Sequence, residues 1–135
     1  MMLGDLLGEE LGETTAMRVL PSDNGQPAME VSFQAVGTLL NAAVRDIGTY
    51  ESFVRPDGTL IGDGQGIIMT NEGETVTWHG QGVGHFTDTG GVNWRGAIFY
   101  ETAAAKFADL AGTVGVFEFD TTEDGKVAGR VFDWK

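Results

Sequence analysis

Three consecutive pieces of the chain decide the fold. They are Thr59-Leu60-Ile61-Gly62-Asp63-Gly64-Gln65-Gly66-Ile67-Ile68-Met69-Thr70, the turn Asn71-Glu72-Gly73, and Glu74-Thr75-Val76-Thr77-Trp78-His79-Gly80-Gln81-Gly82-Val83-Gly84-His85-Phe86. Glycine stands at every second position from Gly62 to Gly66 and again from Gly80 to Gly84. A spacing of two is the period of a β-strand, where alternate side chains share a face. The positions between and around the glycines are rich in Val, Ile, Thr and Trp, as strands prefer. A three-residue connection closing on Gly73 suits a type I turn followed by a G1 bulge. The stretch therefore reads as a long β-hairpin with its glycines gathered on one face.

Asp63-Gly64-Gln65-Gly66-Ile67 and His79-Gly80-Gln81-Gly82-Val83 look superficially like phosphate-binding loops. A dinucleotide fingerprint puts its glycines in the turn between a strand and a helix. Here they alternate inside strands and no helix follows, so that reading is set aside.

Turn signals of the same kind recur along the chain: Asp23-Asn24-Gly25-Gln26-Pro27, Asn41, Pro56-Asp57-Gly58, Thr89-Gly90-Gly91 and Glu123-Asp124-Gly125. Their centres lie roughly 15–18 residues apart, which leaves room for strands of about 10–12 residues. About eight strands follow, near 14–20, 28–38, 43–55, 59–70, 74–87, 91–101, 113–121 and 126–134. Long strands joined by short loops point to an all-β, antiparallel up-and-down barrel. Thr102-Ala103-Ala104-Ala105-Lys106-Phe107-Ala108-Asp109-Leu110-Ala111-Gly112 breaks the pattern with helix formers and a terminal Gly, predicting a short helix near 103–110. Leu6 to Leu11 reads as a further helical turn. No linker or shift in composition divides the 135 residues, so residues 1–135 are expected to form one domain.

Composition narrows the function. The chain carries 20 Asp and Glu against 8 Lys and Arg, a formal charge of −12, which disfavours nucleic acid and anionic membranes as partners. It has no Cys, hence no disulfide, thiol nucleophile or Cys-ligated metal. No apolar run approaches the roughly 20 residues of a membrane helix. The start, Met1-Met2-Leu3-Gly4-Asp5, has no basic region like that of a secretory signal, so a cytoplasmic protein is expected.

Each three-residue turn sets a register: Arg55 opposite Thr59, Thr70 opposite Glu74, and Thr87 opposite Gly91. Alternation then sorts the central strands into two faces. One holds Gly48, Tyr50, Ser52, Val54, Leu60, Gly62, Gly64, Gly66, Ile68, Val76, Trp78, Gly80, Gly82, Gly84, Phe86, Val92, Trp94, Gly96, Ile98 and Tyr100. The other holds Glu51, Phe53, Asp63, Gln65, Ile67, His79, Gln81, His85, Arg95 and Phe99. Flanking strands alternate likewise: Val31, Phe33, Phe117 and Phe119 are apolar against Glu30, Gln34, Glu118 and Asp120, with Glu118 facing Arg130 across a hairpin. The uncharged set is the expected interior.

Glycine inside a strand packs nothing and loses entropy. On this inner face the glycines either let the strands coil and admit Trp78, Trp94 and Tyr50, or leave a void for a ligand. Both remain open at this stage. The outer polar set (Asp63, His79 and Arg95 foremost) would supply a base, an imidazole and an anion-stabilising guanidinium only if it lined the barrel instead. His79 and His85 lie roughly 20 Å apart on an extended strand and cannot share a metal, so no metal or other cofactor is expected. Ser22, Ser32 and Ser52 lack a nucleophile-elbow context. Ile67, Met69 and Phe99 on the outer face suggest a helix lid or a homo-oligomer interface; with a filled core they would instead mark a purely structural or interaction module.

The barrel reading brings out a resemblance. Asp46-Ile47-Gly48-Thr49-Tyr50, Arg55-Pro56-Asp57-Gly58-Thr59-Leu60, Gly64-Gln65-Gly66, Gly80-Gln81-Gly82-Val83-Gly84, Trp94-Arg95-Gly96 and Gly115-Val116-Phe117-Glu118 resemble stretches of a group of small, mostly uncharacterised bacterial proteins. At the level of the fold the chain resembles the allene-oxide-cyclase-like, calycin-type barrels along essentially its whole length. That resemblance implies a small apolar or amphipathic ligand in the barrel, or cyclisation and isomerisation there without a cofactor. It assigns no catalytic residue. Tyr50, Trp78, Trp94 and Tyr100, on the aromatic inner face beside the glycines, are the expected ligand contacts.

Overall fold

A computed structural model describes residues 3–22 and 24–135. Its strands are β1 (Leu3–Val19), β2 (Ala28–Leu39), β3 (Ala42–Val54), β4 (Leu60–Thr70), β5 (Thr75–Phe86), β6 (Val92–Thr102), β7 (Gly115–Thr121) and β8 (Lys126–Trp134). Each pairs antiparallel with its neighbours in sequence, and β1 pairs with β8 to close the barrel. Closure leaves no unpaired strand edge, so the backbone ladder is satisfied around the whole circumference.

The turns fix the register as their chemistry dictates. Arg55, Thr70 and Thr87 donate backbone N–H groups to the carbonyls of Thr59, Glu74 and Gly91. Gly58, Gly73 and Gly90 hold φ of 87°, 86° and 88°, a left-handed conformation that costs a residue with a Cβ roughly 1–2 kcal/mol. The β2–β3 turn is tighter, with Leu40 and Asn41 both at positive φ. Asp23 lies outside the described residues, but Gly25 beside it also has positive φ. Glu118 pairs with Arg130 as expected, and the Arg130 guanidinium donates to the Glu118 carboxylate at 2.7 Å.

Two elements differ from the sequence reading. Leu6 to Leu11 is strand, not a helical turn, and β1 begins at Leu3 rather than near residue 14. Leucines at 3, 6, 7 and 11 mimic a helical stripe, but ladders to β2 and β8 on both sides override it. Register shifts between Leu3 and Leu6, and between Leu6 and Gly8, break the alternation that would have marked a strand. The helix after β6 is a 3₁₀ helix over Ala105–Gly112. Phe107 and Leu110 are its buried residues, packed among Leu39, Ile68, Val76, Ile98 and Tyr100 so that they plug one end of the barrel. Among the described residues no helix is long and apolar enough to cross a membrane.

Candidate functional site

The glycines make sense once the indoles are placed. Trp78 on β5 lies across β4 and β3: a Cβ at Gly48 would come within 2.7 Å of Trp78 Cζ2, and one at Gly66 would run into the same ring. Trp94 on β6 lies over Gly62, where a Cβ would stand 2.7 Å from its Cζ3. Four further rings join them. Phe33 stacks on Trp78 at 6.3 Å, and Phe119 sits 4.9 Å from Phe33. Tyr50 meets Trp94 edge-on at 5.7 Å, and Phe117 borders the cavity beside Gly82.

The rings do not fill the interior. A cavity of about 100 Å³ remains, bordered by Phe33, Tyr50, Trp78, Trp94, Tyr100 and Phe117. The glycines admit the indoles, and space is left beside them. One water needs only about 10–15 Å³ of such space, and an engineered void of roughly 150 Å³ in another protein takes benzene. All four aromatic residues expected from the sequence border this space.

Two carboxyl groups also face it. Asp46 on β3 is 5% exposed, flanked in the ladder by Ala35 and Ile68. The Trp78 indole N–H donates to its Oδ1 at 2.8 Å. Glu10 on β1 is flanked by Gly37 and Gly129 in the ladder and lies beside Asp46. Burial pushes the Glu10 carboxyl up to about 10, helped by repulsion from Asp46. Burial also raises Asp46, while its contacts with Glu10 and with the Trp78 N–H work against that rise. Glu10 Oε2 is enclosed and has no hydrogen-bond partner among the described groups. Burial and the nearness of a second carboxyl both favour the protonated form of Glu10. Burial first, and then these two acids, keep the Tyr100 hydroxyl protonated; burial lifts the Tyr50 phenol to about 12.

The outer polar set does not reach the interior. Asp63, His79 and Arg95 are exposed. Arg95 binds Asp120 at 2.8 Å and lies 3.8 Å from Glu118 on the surface, and His79 lies against Phe99. The alternation of β3 to β6 turns these side chains away from the cavity, so they cannot serve as its catalytic groups. Phe86, counted with the inner face, sits at the rim and is 56% exposed.

Sequence reasoning missed Glu10 and Asp46. Asp46 was within reach, since counting back by twos from Tyr50 and Gly48 arrives at it. Glu10 had no such signal, because the Leu6–Leu11 segment reads as helical and carries no strand parity.

The closed eight-stranded barrel that holds this cavity is a fold shared with solved structures. No family model matches the chain, and no curated protein does. It is similar to a protein of unknown function from Clostridium acetobutylicum, with 14% identity, all of both chains covered and a TM-score of 0.84. A β-barrel like protein from Acinetobacter baumannii is 18% identical, with 99% of this chain and 96% of that one covered and a TM-score of 0.82. An enzyme from Penicillium herquei is 14% identical, with 95% and 92% covered and a TM-score of 0.68. At such identities the likeness shows the fold alone.

Proposed function

We propose that the barrel binds a small, neutral, amphipathic molecule in its interior. The observation that carries this reading is the cavity of about 100 Å³ whose wall is aromatic on most sides and acidic at Glu10 and Asp46. Tyr50, Trp78, Trp94 and Tyr100 would hold the apolar body. The carboxyl pair would bind a polar group, since an apolar ligand alone would leave Glu10 Oε2 without a partner. An anionic ligand is disfavoured beside Asp46.

A second reading, a cofactor-free cyclase or isomerase, agrees with the resemblance to allene-oxide-cyclase-like barrels. The interior acid pair favours it, in place of the outer residues Asp63, His79 and Arg95. Ile67 and Phe99, 48% and 46% exposed on the outer wall, keep a homo-oligomer as part of the proposal.

Native mass spectrometry of freshly purified protein, followed by organic extraction, tests the binding reading and reads the subunit number. A stoichiometric small molecule that is lost from Trp94→Ala supports it. A bare mass that stays bare after incubation with a panel of small neutral ketones counts against it.

A further inference from the structure

The carboxyl pair is an unusual thing to bury. Among the described residues neither acid has a cationic partner, and the Arg and Lys ion pairs lie on the outer surface. A Leu–Leu pair would cost far less to enclose. The Trp78 indole N–H donates to Asp46, which favours the carboxylate there, and Glu10 borders the same cavity with its Oε2 unpartnered among the described groups. A neutral acid and a carboxylate bordering one apolar space form an acid–base pair.

We propose that Glu10 and Asp46 are catalytic residues for proton transfer on a small neutral carbonyl compound, an inference that rests on the binding reading above. The Asp46 carboxylate takes a proton from the carbon next to the carbonyl. The C–H electron pair becomes the C=C bond of an enol. The carbonyl π pair moves onto oxygen, which takes the proton from Glu10. The steps then reverse: the enol O–H returns its proton to Glu10, and Asp46 protonates carbon. Return to the same carbon gives exchange with retention, and return to a conjugated carbon moves the double bond. Nothing is oxidised or reduced, and solvent enters only by exchanging the proton that Asp46 holds between the two steps. The cavity is about two-thirds the size of the void that takes benzene, which limits the substrate to about four heavy atoms, and the indole and phenol rings suit a flat one.

The test uses acetone in D2O. Loss of its methyl-proton signal reports proton transfer, and line broadening in the same NMR sample reports binding. The wild-type protein is expected to bind it and to speed exchange above buffer. Asp46→Asn and Glu10→Gln, each close to isosteric, are each expected to slow that exchange by about 100-fold or more while acetone still binds. Binding with exchange no faster than in Asp46→Asn overturns the catalytic proposal and leaves the binding reading standing. Absence of both binding and exchange overturns the two together. Exchange that survives in both variants, with binding intact, assigns the chemistry elsewhere and also overturns the proposal.

Discussion

At the residue scale, the pair Glu10 and Asp46 makes stability depend on pH in a definite direction. Glu10 holds its proton more tightly folded than unfolded, so between the ordinary carboxylate range and about 10 the folded state binds more protons. Stability must then fall as pH rises through that window. Asp46, also raised, acts with the same sign. The other titratable group set against the pair is Tyr100, whose phenol stays protonated throughout. The formal charge of −12 adds a slope of its own through self-repulsion, but wild type and Glu10→Gln share nearly all of it. From pH 5 to pH 9 the wild-type melting temperature should drop further than that of Glu10→Gln, by about 4 °C or more. Equal slopes in the two proteins would mean that Glu10 is not buried as an acid. The aromatic lining of the cavity was legible because Tyr50, Trp78, Trp94 and Tyr100 lie on strands of unbroken parity. Glu10 was hidden because β1 carries register shifts.

At the scale of elements, hairpin chemistry was the most readable feature of the chain. Pro56-Asp57-Gly58 and Asn71-Glu72-Gly73 specify a turn type, the turn fixes a register, and the register fixes every side chain on both strands. β1 was the least readable, since its leucine spacing imitates a helix and its strand character comes from partners on both sides. The 3₁₀ helix over Ala105–Gly112 was visible from composition, but its role was not. Phe107 and Leu110 are each 1% exposed, which makes the segment a plug rather than a surface connection. Phe107→Ala should therefore cost about 3–5 kcal/mol, read by urea unfolding with an unchanged m-value. A cost below about 1 kcal/mol would place the helix outside the cooperative core.

At the scale of the whole molecule, an eight-stranded barrel is just wide enough for its side chains to fill or to leave one small site. Strand number and inner-face composition were legible, yet they cannot choose between those outcomes, because a void depends on how each ring lies. The two indoles settle flat over glycines, and that arrangement opens the centre. The closed ladder makes the interior the place where apolar walls and the acid pair meet. The most direct test of this account is a high-resolution crystal structure of the protein soaked with acetone. The account predicts acetone density between Trp78 and Trp94, with the ketone oxygen within hydrogen-bond reach of Glu10. Side chains closed over an empty centre, with acetone absent or found only on the outer wall, would contradict it.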